Sequence, residues 1–197
     1  MNYASTVERL MNGSIDFHLH ADPDPFHERR LDVLELALQA KEAGMKAVVA
    51  KCHHFATAPL TYLVNKIVSG FTLVGSLTLD SEVGGLSPEV VEVAAKTGAR
   101  VIWMPTSSSM VDRDRMESRP TKRGSPEGIS LIDEENNLLP PVISILEIIK
   151  ENDLVQGTGH VSVREIYMVT SEANRMGIKL TITHPLNSCF GSTLSLG

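Results

Sequence analysis

Seven histidines carry most of the chemistry this sequence can offer: His18, His20, His27, His53, His54, His160 and His184. A neutral imidazole is the commonest protein metal ligand near pH 7. Six of the seven stand at or just past the end of a short apolar run that reads as a strand. In parallel α/β folds that edge is where ligands bind, because the loops leaving the strands converge there. In Asp16-Phe17-His18-Leu19-His20, residues two apart on a strand share a face, so His18 and His20 can reach one metal ion. A third ligand must come from elsewhere in the fold, and a catalytic site keeps a further position open for water. His160, in Gln156-Gly-Thr-Gly-His160, and His184, in Thr181-Ile-Thr-His184-Pro185, close two later strands.

Lys51 closes an apolar strand and leads into Cys52, His53 and His54. A buried ammonium costs free energy unless it is paired. Asp16, Asp22 or Asp24 is its expected salt-bridge partner; otherwise Lys51 and His53 contact the substrate or the metal. His54 shares that strand end, and Asp22 and Asp24 lie on the loop after the first strand, so the three are candidate substrate contacts. A solvated Asp-Pro loop is the plain alternative for the two aspartates. Cys52 beside His53 suggests a thiol nucleophile, but adjacent residues on an extended chain point apart, and a small buried filler is the expectation.

The elements that must position these residues repeat one unit. A strand ending at His18 follows Ser14, and apolar residues at helical spacing fill Glu28 to Ala43 before Gly44 stops the helix. Lys46 to Ala50 and Phe71 to Leu79 read as strands. Ser87 caps a helix with Pro88 in its first turn, closing at Gly98, and Arg100 to Met104 is the fourth strand. Leu139 to Asn152 is a helix and Asp153 to Gln156 a strand. Ser162 with Glu165 forms a capping box for a helix to Met176, and Ile178 to Thr183 is the sixth strand. Apolar strands alternating with helices predict a parallel sheet covered by helices in one domain, residues 1–197. Gly128 to Ile132 and Leu138-Leu139 flank the polar turn Asp133 to Asn137, as in a small hairpin.

Composition narrows the function classes. The 197 residues are 42% hydrophobic, with 18 Lys and Arg against 24 Asp and Glu, a net charge of −6. A general nucleic-acid binder carries the opposite balance, so no nucleic-acid partner is expected. The exception is Arg113, Arg115, Arg119, Lys122 and Arg123, read as a solvated loop or as a lid that meets an anionic substrate. No stretch approaches the ~20 apolar residues of a membrane span, and residues 1–12 lack the apolar core of a signal peptide. Two cysteines, Cys52 and Cys189, make no disulfide framework, which points to a reducing, cytoplasmic location. There is no Gly-x-Ser-x-Gly elbow, no dinucleotide loop and no Gly-Lys-Ser/Thr phosphate loop.

The Asp-x-His-x-His of strand one, the Thr-Gly-His and Thr-His-Pro strand ends, and the segments Gly84-Gly-Leu-Ser-Pro88 and Val101-Ile-Trp-Met-Pro-Thr106 together resemble the metal-dependent amidohydrolase superfamily, in a little-characterised amidohydrolase-like branch. The likeness runs from about Ile15 to Pro185. It implies a TIM-like (β/α) barrel with one or two divalent metals at its carboxyl face, zinc first, with manganese or iron as alternatives. His18 and His20 would bind one metal, and His160 and His184 a second, or orient substrate; His184 and Lys51 are the candidate catalytic groups. The implied reaction is hydrolysis of an amide, cyclic imide, lactone or related C–N or C–O bond of a small molecule by metal-activated water.

Two features depart from that pattern. Such barrels have eight strands and take an aspartate from the last, whereas only residues 185–197 follow His184. The expectation is an incomplete barrel of about six strands, with exposed edges that favour a homo-oligomer. Strand four also lacks the lysine that many binuclear members carry. His53 and His54 on strand two are closer to phosphoesterases of the polymerase-and-histidinol-phosphatase type, the alternative enzyme class. An inactive metal-binding fragment that associates with itself is the non-enzymatic alternative.

Overall fold

Three helices start where a side chain can take up the first free backbone N–H groups. Asp32 accepts from Leu34 and Glu35 while Glu35 reaches back to the Asp32 N–H, so α2 spans Val33–Glu42. The expected start at Glu28 is therefore five residues too early: residues 28–31 belong to the preceding loop, and the capping box sets the boundary. Ser87 caps α4, Pro88–Lys96, and Ser162 with Glu165 boxes α7, Val163–Arg175, both as the sequence predicts. The remaining helices are α1, Tyr3–Met11; α3, Ala58–Ile67; α5, Met110–Met116; and α6, Pro140–Glu151. The computed structural model describes residues 3–116 and 128–186. Arg119, Lys122, Arg123 and Cys189 lie outside the described residues.

Among the described residues six strands form one parallel sheet in chain order. They are β1, Ile15–Leu19; β2, Ala47–Ala50; β3, Thr72–Thr78; β4, Ala99–Trp103; β5, Val155–Gly157; and β6, Lys179–Thr181. Sequential order with a crossover after each strand is the βα repeat of a barrel, not of a doubly wound sheet. Strand alternation divides the apolar residues between two layers. Val48 and Ala50 pack outward with Leu36, Ala37 and Val64 of the helices, and Ile102 joins Ile145, Leu146 and Val169. Val49, Val101 and Trp103 instead form a small inner cluster backed by Val74 and Val155. That inner layer is the concave side of a curled half-barrel.

β1 and β6 are the two sheet edges, yet His18 at the end of β1 and His184 beyond β6 bring their rings to 4.7 Å. Between those edges a cavity of about 400 Å³ is lined by residues of both strands and by Trp103. Ile15, Phe17, Leu180 and Ile182 stay exposed along them. The expected hairpin after residue 128 is reduced to one antiparallel bridge, Ile132 to Leu138. No helix among the described residues is long and apolar enough to cross a membrane.

Candidate functional site

The concave layer carries the site upward from its floor. Val49 points inward on β2, so Lys51, two residues on, points the same way, and it emerges 5.7 Å from the centre of the Trp103 ring. Lys51 is only 2% exposed, and its Nζ has no hydrogen-bond acceptor among the described residues. The expected ion pair with Asp16, Asp22 or Asp24 is absent: Asp16 accepts the His18 N–H, and the other two aspartates bind the loop that contains them. Above this floor a cavity of about 340 Å³ is lined by His18, His20, Lys51, His53, His160 and His184, with His27 and Arg29 at its side.

His18 and His20 come together as their spacing predicts, with Nε2 atoms 3.3 Å apart. His20 stacks on His53, ring centres 4.9 Å apart, and His184 sits between His18 and His160. His184 holds a left-handed φ of 47°, a conformation that costs a non-glycine residue roughly 1–3 kcal/mol and that collects at functional positions.

Two imidazoles are fixed from behind by carboxylates, and neither carboxylate was singled out by the sequence. Asp80, fully buried just beyond β3, accepts the backbone N–H of Thr106 at 2.7 Å and of Ser108 at 2.9 Å. Its Oδ2 also takes the Thr106 hydroxyl proton at 2.5 Å. The Thr106 oxygen is then left to accept from His53 Nδ1, 2.6 Å away. His53 is thus the Nδ1–H tautomer, with an unprotonated Nε2. Asp112 of α5 lies 2.7 Å from Nδ1 of His160 and sets the same tautomer there. A strand-end aspartate inside Leu79-Asp80-Ser81 and an acidic residue in a basic segment give little local signal, because the pairing is made by the fold.

Charge in the cavity follows from burial. Burial, the Lys51 ammonium and neighbouring rings lower His18 to about 3 and His20 to about 2. Burial also takes His53 down to about 4 against the pull of Asp80, and it moves His184 downward. Lys51 falls to about 8, again through burial, with Asp80 opposing. Burial tends to raise the Asp80 carboxyl, but bonds from His53, Thr106 and Ser108 outweigh it and hold the group well below the usual carboxylate range. At neutral pH the imidazoles with lowered values are uncharged, the form in which histidine binds metal.

The other candidates lie outside the cavity wall. His54 packs against Phe26 at 4.6 Å, with Glu82 3.5 Å from its Nδ1. Asp22 accepts the N–H groups of Asp24 and Arg29. Asp24 accepts those of Phe26 and His27 and grips the Arg29 guanidinium through Nε and Nη2. The aspartates therefore shape the loop that delivers Arg29 to the cavity. Cys52 is buried, and burial raises its thiol.

Whether these residues suit a metal is decided by the donors. Two neutral Nε2 atoms about 3.3 Å apart match one edge of a tetrahedral site with Zn–N near 2.0–2.1 Å. The carboxylates, the kind of outer partner that metal-binding histidines use, stand behind His53 and His160, whereas Nδ1 of His20 has no hydrogen-bond partner among the described residues. Among the described residues no three His, Cys, Asp or Glu side chains close tightly enough to hold an ion as they stand. The fit is a two-histidine edge with further imidazoles beside it.

Residues 13–195 match a family described as of unknown function, DUF6282. The chain belongs to that family. The match covers the whole sheet and every residue of the cavity. No curated protein matches the chain.

Proposed function

We propose that the cavity is the active site of a metal-dependent hydrolase that splits a C–N or C–O bond in a small amide, cyclic imide or lactone. The observation that carries the reading is the convergence of five neutral-capable imidazoles on one cavity at the carboxyl edge of a parallel half-barrel, with two of them fixed by buried carboxylates. His18 and His20 would hold the ion, and His184 is the imidazole next to them. Such an ion supplies Lewis acidity, which acidifies a coordinated water and polarises a carbonyl.

The chain's own groups divide the remaining work. Proton transfer is assigned to His160 Nε2, because Asp112 holds its Nδ1 directly at 2.7 Å, whereas the nearest partner of His53 Nδ1 is the Thr106 hydroxyl at 2.6 Å, with Asp80 behind it at 3.2 Å. The assignment moves His160 from the ligand role that the superfamily resemblance implies to that of proton carrier. His53, stacked on His20, keeps the ligand pair in place. We propose in addition that a second copy of the chain covers the edges of β1 and β6, unpaired among the described residues, where Ile15, Phe17, Leu180 and Ile182 are exposed. Metal content of the protein and of its His18→Ala/His20→Ala variant tests the hydrolase reading: bound ion lost in the variant supports it, and no ion after reconstitution refutes it.

A further inference from the structure

Among the described residues the wall of the histidine cavity is built from nitrogen bases, six imidazoles with Arg29 and Lys51, and no carboxylate lines it. In a chain of net charge −6 that is a local reversal. The acidic groups nearby are turned to other partners. Asp80 is taken up by the loop at Thr106 and Ser108, Asp112 by the far side of His160, and Asp24 by Arg29 and its own turn.

Both cations are held ready for a further partner. Asp24 grips Nε of Arg29 at 3.0 Å and Nη2 at 2.5 Å, which fixes the plane of the guanidinium. Nη1 has no acceptor among the described residues, and the side chain keeps about a quarter of its surface exposed at the cavity. Lys51, which lines the same cavity, is buried and its Nζ has no acceptor at all among the described residues. An unpaired buried ammonium is costly, and an oxyanion in the cavity would remove that cost. A planar, pre-oriented guanidinium is suited to such a group, because its geometry matches carboxylate and phosphate oxygens and little freedom is lost on binding.

We propose that the substrate carries an oxyanion, a carboxylate or a phosphate, that docks between Arg29 at the cavity side and Lys51 in its floor. The inference rests on the reading of this cavity as the substrate site, and it holds with or without a metal ion. Arg29 is then a binding residue and Asp24 its positioning residue.

The test is calorimetric titration of the full chain with inorganic phosphate and, separately, malonate at pH 7.5 and low salt. Chelator-treated and zinc-loaded protein are run in parallel. At least one anion is expected to bind chelator-treated protein at one equivalent. Arg29→Gln and Lys51→Met, checked for native circular dichroism, should each weaken it about ten- to a hundredfold, the range of one lost charge-assisted bond. Arg29→Lys, which keeps the charge but not the fork, should fall between. Preference for phosphate assigns a phosphoryl substituent, and preference for malonate a carboxylate. Binding of neither anion, or binding unchanged in Arg29→Gln, overturns the proposal. Binding confined to zinc-loaded protein and indifferent to Arg29 overturns it while leaving the hydrolase reading intact. Arg29-dependent binding in protein that takes up no zinc does the reverse.

Discussion

Replacing Asp80 by Ala should separate the groups that hold the site from those that merely line it. The carboxylate accepts two backbone N–H groups, of Thr106 and Ser108, and the hydroxyl of Thr106, all at 2.9 Å or less. Thr106 and Ser108 are buried, so in the Ala variant their N–H groups lose an acceptor that water cannot readily replace. Each orphaned donor costs about 1–3 kcal/mol. The hydroxyl can rotate to another partner, so the expected loss is about 3–5 kcal/mol, a large part of the roughly 5–15 kcal/mol typical of a domain. Asp80→Asn retains an Oδ1 for the two N–H groups and should lose only about 1–2 kcal/mol. Its amide now donates to Thr106, whose hydroxyl must turn and donate to His53 Nδ1. The proton on His53 then moves to Nε2, and the cavity loses an acceptor nitrogen. Urea unfolding followed by circular dichroism at pH 7.5 gives the energies, and long-range ¹H–¹⁵N spectra of the imidazoles give the tautomer. A loss below about 1 kcal/mol for Asp80→Ala, or an unchanged His53 tautomer in Asp80→Asn, would refute this reasoning.

Two further outcomes follow from the same geometry. His18, His20 and His53 titrate near 3, 2 and 4 in the fold, whereas the unfolded chain takes up protons near 6.5. Stability of metal-free protein should therefore be complete above pH 6.5 and fall on acidification toward pH 4, by up to about 1.4 kcal/mol per pH unit for each histidine. Denaturant titrations at several pH values check it, and a flat profile from 6.5 to 5 would contradict it. Gly159 has φ +66°, and a Cβ there would lie 2.3 Å from the Met104 carbonyl oxygen and 2.4 Å from that of Pro105. Gly159→Ala should cost at least about 3 kcal/mol by urea unfolding, because the clash is with backbone beside the bond from His160 N–H to Pro105 O; a cost near 1 kcal/mol would mean that the loop simply shifts.

Most of the sheet is legible in the sequence because buried parallel strands are apolar throughout and their helices carry local caps. Ser87, Ser162 and Glu165 show this: each acts within four residues of itself. α3 was not foreseen, because Ala58–Ile67 opens with Ala-Pro behind Thr57, which makes no side-chain cap bond. The histidine cluster was legible for a different reason, since a parallel half-barrel gathers all strand ends at one edge whatever the loop details. The partners of those histidines were not. Asp80 reaches His53 and Thr106 across 26 or 27 positions, and Asp112 reaches His160 across 48, so no local pattern records either pair. Lys51 was expected to find an aspartate in the β1 loop, but those carboxylates are taken up by backbone N–H groups and Arg29. The loop folds on itself first.

The central claim is that this cavity binds a metal through His18 and His20, and metal content tests it most directly. Elemental mass spectrometry on tag-free protein, as purified and after reconstitution with zinc, manganese or iron, should find about one or more equivalents. The His18→Ala/His20→Ala variant should lose the ion while keeping its helical circular dichroism, since both rings face the cavity and not the core between sheet and helices. No ion in the reconstituted wild type, or the same stoichiometry in the double variant, would contradict the account.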